Sequence, residues 1–326
     1  MQHEQMTIVS AADEGFAAHF AAMLHSAWTH HPTAEFYFLD CGIEPQTLAD
    51  LRKFATNRGI RLSIITIDAT VFGNLPTTKA FSAATYARLL IPDLLPNSVE
   101  RALYLDADCI VVGDLLALWR FDMGKAAIAA IHDPGGAQIE REIGIDVDGY
   151  INAGVVLMDL TVWRRDNLAA TAIAFVRTFN PRLLDQTGIS VACAGKIAYV
   201  PDQWNFYSQK PRSPGQWLEP SIIHYVGHRK PWIYSDVPFA SIYLYHRNQT
   251  PFAIERPHTP YRSPLRKMLN LLVGNCKYWN QLIIARRPQA FGRPISTGSR
   301  EPARLHEAQP LSLVSLSGGG QPQVLG

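Results

Sequence analysis

The sequence predicts an α/β fold in which a mostly parallel central sheet carries helices on its faces. Three observations lead there. Short β-favouring runs alternate with helical stripes through residues 7–68. Further strand-like runs follow at 102–108, 126–133 and 152–160. The 326 residues are 47% hydrophobic and 18% charged, enough to bury the core of one large α/β domain or two small ones.

TIVSAA, residues 7–12, reads as the first strand. Phe16, Phe20, Met23, Leu24 and Ala27 then fall on one helical face. EFYFLDCG (35–42) is aromatic and ends at a glycine, so it is a second strand. Leu48, Leu51, Phe54 and Ala55 make a helical stripe that stops at Gly59. RLSIITID (61–68) is a third strand. This β-α-β-α-β rhythm implies parallel strands covered by helices. SAATYARLLIPDLL (82–95) is expected to be helical until Pro92. ALYLDAD, AAIAAIHD and NAGVVLMDL read as strands, and Trp163 to Phe179 as one helix. The expected organisation is a catalytic-sized domain over 1–250, a basic, aromatic amphipathic extension over 251–290, and a disordered tail over 291–326, rich in Ser, Gly, Pro and Gln.

A net charge of +2 gives no global signature of nucleic-acid binding. Cys41, Cys109, Cys193 and Cys276 are far apart and sit in or beside apolar stretches, so reduced thiols in a cytoplasm are expected. The N-terminus shows no basic region followed by an apolar one, so no secretory signal is expected. No run approaches the roughly 18 apolar residues of a membrane span.

The segment ALYLDADCIVVGDL (102–115) sets two carboxylates, Asp106 and Asp108, into an apolar strand. A buried ionised carboxylate needs a partner. In a strand, residues i and i+2 share a side, so both would face one spot and repel unless a cation lies between them. Ligands of open α/β sheets bind beyond the carboxyl ends of the strands. A strand-end site for a divalent cation is the functional reading; two solvated turn residues or helix caps is the alternative. In SIIHYVGHRKPW (221–232), an apolar strand runs into His224, then Gly227 and Lys230. An imidazole beside carboxylates suits Mn²⁺ better than Ca²⁺. Gly227 would let backbone approach a phosphate, and Lys230 could neutralise its charge. An ordinary loop with a surface histidine is the alternative.

Taken together, AADEGF (11–16), TYARLLIP (85–92), LYLDAD (103–108), NAGVVLMDL (152–160), WRRDNL (163–168), LLDQ (183–186) and HYVGHRKPW (224–232) resemble glycosyltransferase family 8. These are retaining nucleotide-sugar enzymes with a Rossmann-like GT-A fold. The resemblance is greatest to bacterial lipopolysaccharide galactosyl- and glucosyltransferases and runs from about residue 7 to 235. It implies a DxD metal site of Asp106, Asp108 and His224 holding Mn²⁺, or Mg²⁺, against the diphosphate of a UDP-hexose. It implies Ala11 and Asp13 at the uracil, and Gly227 and Lys230 at the diphosphate. Arg88, Asp133, Asn152, Ala153, Gly154, Asp185 and Gln186 would surround the donor sugar, the last two nearest the chemistry. The implied partners are the UDP-hexose and a glycan or glycolipid acceptor, without nucleic acid. Two departures stand out: Gly15 where bacterial members often carry Asn, and Thr187 where they often carry a second acid.

Between 264 and 287, Leu265, Met268, Leu269, Leu272, Cys276, Trp279 and Ile283 fall on one helical face, with Arg266, Lys277 and the terminal Arg286 and Arg287 elsewhere. That pattern suits a helix lying on an anionic membrane, here the inner face of the cytoplasmic membrane; packing on the protein's own core is the alternative. Other readings of the whole chain are a glycogenin-like self-glucosylating enzyme, a catalytically impaired nucleotide-binding partner protein, and a sugar nucleotidyltransferase. The last would need a Gly-rich basic loop after the first strand, which AADEGF is not.

Overall fold

The computed structural model describes residues 5–73, 75–77, 83–209 and 219–255. Beyond its first five residues, 251–255, the expected amphipathic extension lies outside the described residues, as does the whole expected tail. No helix among the described residues is long and apolar enough to cross a membrane.

The first half alternates as its sequence pattern requires: β1 (Thr7–Ala12), α1 (Glu14–His30), β2 (Glu35–Asp40), α2 (Pro45–Arg58) and β3 (Arg61–Thr66). Gly59 ends α2 in the left-handed region at φ 68°, where a side chain would be strained. A 3-10 turn (Ala69–Phe72) and a 3-10 helix (Ala83–Leu90) lead into α3 (Ile91–Leu94). Helix was expected there until Pro92. Instead Pro92 opens the short α-turn, where its missing N–H leaves no bond unmade.

The chain continues through β4 (Arg101–Leu105), β5 (Cys109–Val111), α4 (Leu116–Trp119), β6 (Ile128–Ala130), α5 (Pro134–Arg141), β7 (Val155–Asp159) and α6 (Leu160–Arg165). Then come α7 (Leu168–Phe179), α8 (Leu184–Ala192), β8 (Ile197–Tyr199), β9 (Phe206–Tyr207), β10 (Ile222–His224) and α9 (Ala240–Arg247). The single helix expected from Trp163 to Phe179 is two helices. Asn167, at φ 51°, adopts the left-handed conformation that asparagine tolerates and breaks the run.

Seven strands form the central sheet in the order β3-β2-β1-β4-β7-β6-β8. The pairs among β3, β2, β1 and β4 are parallel, as is β6 with β8. Only β7 runs against its neighbours β4 and β6. Alternation along β4 sends Leu103 and Leu105 into a core with Phe20, Leu24, Phe38 and Phe54, beneath α1 and α2. Ala102 and Tyr104 enter a second core on the other face, with Tyr86, Trp163 and Val176. Each face therefore buries a full apolar layer, which is why the strands read as nearly continuous apolar runs. A small second sheet, β5-β10-β9, stands beside this frame. Its central strand β10 pairs antiparallel with β5 and parallel with β9.

Candidate functional site

The carboxyl ends of β1, β4 and β6 share one edge of the sheet. Because β7 runs the other way, the loop before it, Asn152 to Gly154, reaches that same edge. The site forms there, with α8 and β10 supplying its walls.

Asp106 and Asp108 do not share a strand face, as the alternation argument expected. β4 stops at Leu105, and the chain turns: the Cys109 N–H donates to the Asp106 carbonyl at 3.0 Å. The turn still brings both carboxylates to His224, whose Nε2 lies 3.2 Å from Asp108 Oδ1 and 3.7 Å from Asp106 Oδ2. His224 arrives on β10, in register with Cys109. On its other side Nδ1 meets Asn205 Oδ1 at 2.8 Å.

Each carboxylate has its own cation. Lys230 Nζ donates to Asp108 Oδ2 and, at 2.6 Å, to the Tyr225 carbonyl. Burial opposes ionisation of Asp108, but Lys230 and then His224 overcome it and hold the carboxyl well below the usual range. Arg88 lies between Asp106, at 3.0 Å, and Asp185, at 2.9 Å, with its guanidinium 4.5 Å from the centre of the Tyr104 ring. Burial works against the charge of Arg88; the two aspartates outweigh it and raise its pKa above the ordinary value. Asp185 is the more deeply buried acid, and burial raises its pKa despite Arg88 and a 2.6 Å bond from Thr85 Oγ1. Three carboxylates thus face two permanent cations and one imidazole.

Gln186 is held on three sides. Its Oε1 accepts from the Ala153 N–H and from Asn152 Nδ2, each at 3.1 Å, and its Nε2 donates to Asp133 Oδ2 at 3.3 Å. Asp133 also caps α5 through the Gly136 N–H. Gly154 packs against the cluster so closely that a Cβ there would lie 2.1 Å from His224 Cε1 and 2.8 Å from Asp106 Oδ2. Ala11 is buried at the end of β1, and Asp13 opens α1 beside it. Gly227 takes φ +84° in the turn after β10, a conformation that demands glycine. Lys230 lies 5.7 Å from the ring centre of Trp232, which stacks on His19 at 3.6 Å.

The two sequence departures differ in consequence. At Gly15 a Cβ would make only an ordinary 3.4 Å contact with Asp13, so the fold does not impose glycine. Thr187 is fully buried; its hydroxyl lies 2.7 Å from Tyr150 Oη and donates to Glu140 Oε1 at 2.9 Å. A carboxylate in that position would confront the buried Glu140. Asn205, Thr85 and Tyr104 were not singled out by sequence. The available signal was weak: a lone Asn inside QWNFY, and polar groups inside apolar runs.

Among the described residues, Asp108, Cys109 and His224 lie close enough together to hold a metal ion, a group that does not include Asp106. Cys109 is the weaker candidate ligand. Burial, and then the charges of Asp108 and Asp106, push its thiol pKa well up, whereas a metal binds thiolate. Asp106 offers a carboxyl oxygen 3.7 Å from the same Nε2 instead. Two carboxylates and an imidazole form a hard-to-borderline donor set that fits a divalent cation.

The sequence profile of glycosyl transferase family 8 matches residues 7–236, most of the chain. The chain belongs to glycosyl transferase family 8. Among relatives of this family 8 protein, general stress protein A of Bacillus subtilis is 27% identical over 70% of this chain and 88% of its own. Lipopolysaccharide 1,3-galactosyltransferase of Salmonella typhimurium is 26% identical, covering 66% of this chain and 68% of its own. Lipopolysaccharide 1,2-glucosyltransferase of Escherichia coli is 27% identical, covering 66% and 69%. Among solved structures, the galactosyltransferase LgtC in complex with donor and acceptor sugar analogues matches with TM-score 0.68 and 25% identity. That match covers 77% of this chain and 98% of LgtC. The family 8 chain is a glycosyltransferase, and its fold is GT-A.

Proposed function

We propose that this enzyme transfers galactose or glucose from a UDP-sugar to a saccharide acceptor, with retention at the anomeric carbon. The acceptor class is lipopolysaccharide or another surface glycolipid, the substrates named by its galactosyl- and glucosyltransferase relatives. The observation that carries the reading is the convergence of Asp106 and Asp108 on His224 Nε2. These three residues would hold Mn²⁺ or Mg²⁺, which supplies charge stabilisation to the departing diphosphate.

Lys230, already beside Asp108, would meet the same diphosphate and stabilise the charge that develops on it. The turn at Gly227 would bring backbone N–H groups to the phosphates. Ala11 and Asp13 would border the uracil. Asn152, Ala153, Gly154 and Asp133 would line the donor sugar, whose cationic character rises as the bond breaks. Arg88 would hold Asp106 and Asp185 in place rather than bind sugar itself, because both carboxylates already occupy it. The side chain of Gln186 is committed to three hydrogen bonds, and Asp185 to Arg88 and Thr85. Neither is free to act as a nucleophile, which favours attack by the acceptor on the face the diphosphate leaves.

The test is release of UDP from UDP-galactose and UDP-glucose without acceptor. Turnover should require Mn²⁺ or Mg²⁺, vanish in EDTA, and be lost in Asp108→Asn. Full turnover in EDTA or in that variant would overturn the metal reading. Contact with an anionic membrane through the basic pattern of 264–287 belongs to the same proposal and rests on sequence alone.

A further inference from the structure

The side-chain amides of Gln186, Asn152 and Asn205 form an unbroken line that ends on His224. A primary amide has one accepting end and one donating end, and a backbone N–H can only donate. The Gly154 N–H donates to Asn152 at 3.0 Å, so the atom it meets is the Asn152 oxygen. Asn205 meets that same oxygen at 2.8 Å and must do so with its NH₂ group. The other end of Asn205 is then its oxygen, 2.8 Å from His224 Nδ1, so Nδ1 is the protonated nitrogen. The far end of the line is fixed independently, because the Ala153 N–H donates to Gln186 Oε1 and Asn152 Nδ2 donates to that same atom. Reversing Asn205 alone would set two amide oxygens against each other. Asn205 is 1% exposed and His224 4%, so no water shell offers either an alternative partner.

We infer that Asn205 is a positioning residue that fixes the tautomer of His224 and aims its Nε2 at the cation site between Asp106 and Asp108. The inference rests on the proposed metal reading of those three residues. It adds that the direction of the histidine is set by two backbone N–H groups, those of Ala153 and Gly154, transmitted through three amides. Residues that orient a metal-bound histidine through its second nitrogen characteristically alter metal affinity by about 10- to 100-fold.

The experiment is ¹⁵N-histidine NMR of the metal-free full chain, with His224 assigned by its loss in His224→Gln, together with calorimetric titration of Mn²⁺. In the wild type, the neutral ring should carry its proton on Nδ1. A neutral ring protonated at Nε2 would overturn the inference, whatever the variants do. In Asn205→Ala the proton should move to Nε2, facing Asp108, and Mn²⁺ affinity should fall about 10- to 100-fold. Asn205→Asp retains an acceptor, so Nδ1 should stay protonated and most of the affinity should return. An Asn205→Ala protein with unchanged Nδ1 signal and unchanged Mn²⁺ affinity would overturn the inference. If Asn205→Ala does not fold, the wild-type spectrum and Asn205→Asp decide. A protonated Nδ1 in a wild type that binds neither Mn²⁺ nor Mg²⁺ would support the tautomer assignment and overturn the metal reading.

Discussion

A Cβ on Gly154 would stand 2.1 Å from His224 Cε1 and 2.8 Å from His224 Nδ1, well inside contact distance. Gly154→Ala must therefore displace the imidazole or the loop before β7. Overpacking of this kind costs about 1–3 kcal/mol. The expected outcome is a modest fall in melting temperature with a loss of about 10- to 100-fold in metal-stimulated UDP release; calorimetric melting and a UDP-release assay check it. Lys230 gives a second residue-scale prediction. Lys230→Ala should weaken UDP binding in the presence of Mn²⁺ and cut turnover. Lys230→Arg should rescue poorly, because a planar fork does not replace a compact ammonium already fitted between Asp108 and the Tyr225 carbonyl. Unchanged affinity and turnover in Lys230→Ala would return this side chain to a structural role. Asp106, Asp108 and His224 stand out in the sequence because carboxylates and an imidazole are conspicuous within apolar runs, whereas Gly154 was pointed to by the family resemblance alone. Asn205 and Thr85 were not, since their roles depend on partners 19 and 100 residues away.

The helices α1 and α9 meet through a layer of uncharged histidines. His19 Nδ1 lies 2.6 Å from Tyr243 Oη, and His25 Nδ1 lies 2.9 Å from His246 Nδ1. Burial, and then Arg247, lower the His19 pKa to about 3; burial, and then His25, lower that of His246 to about 3. Burial, and then Arg58, lower His25 to about 4. Folded-state values below the ordinary 6.5 mean that the unfolded chain binds more protons on acidification. The stabilisation is complete above about pH 6.5 and declines as pH falls toward 3–4. His19 and His246 would each contribute at most about 1.4 kcal/mol per pH unit in that window. Urea unfolding at pH 7 and pH 5 should show the loss, and His246→Gln should flatten it; an equal slope in that variant would remove His246 from the account. The first five elements were legible because period and turn residues agree locally. The direction of β7 was not, because alternation along one strand is the same for either orientation. Nor was the end of β4 at Leu105, since the carboxylates beyond it keep the apolar alternation going on paper.

At the scale of the molecule, the residues proposed for metal and nucleotide all precede residue 231. A truncation after Arg262 should therefore fold and release UDP, yet lose pelleting with anionic liposomes and activity on lipid-embedded acceptor. Pelleting of the full chain should fall as salt rises, since each basic residue near an anionic surface contributes about 1 kcal/mol that salt screens. An insoluble truncation and a parent that ignores liposomes would end the membrane proposal. The small sheet carries a different consequence. Its central strand, β10, comes last in the chain, while both neighbours, β5 and β9, are made earlier. On the ribosome, β5 emerges more than a hundred residues before the strand that pairs with it. Until then it offers an unpaired edge, the kind of surface that draws in other chains. A nascent chain halted before Ile222 would thus keep that edge open, and synthesis of three further residues, Ile222 to His224, brings the strand that closes it and the last proposed ligand of the site.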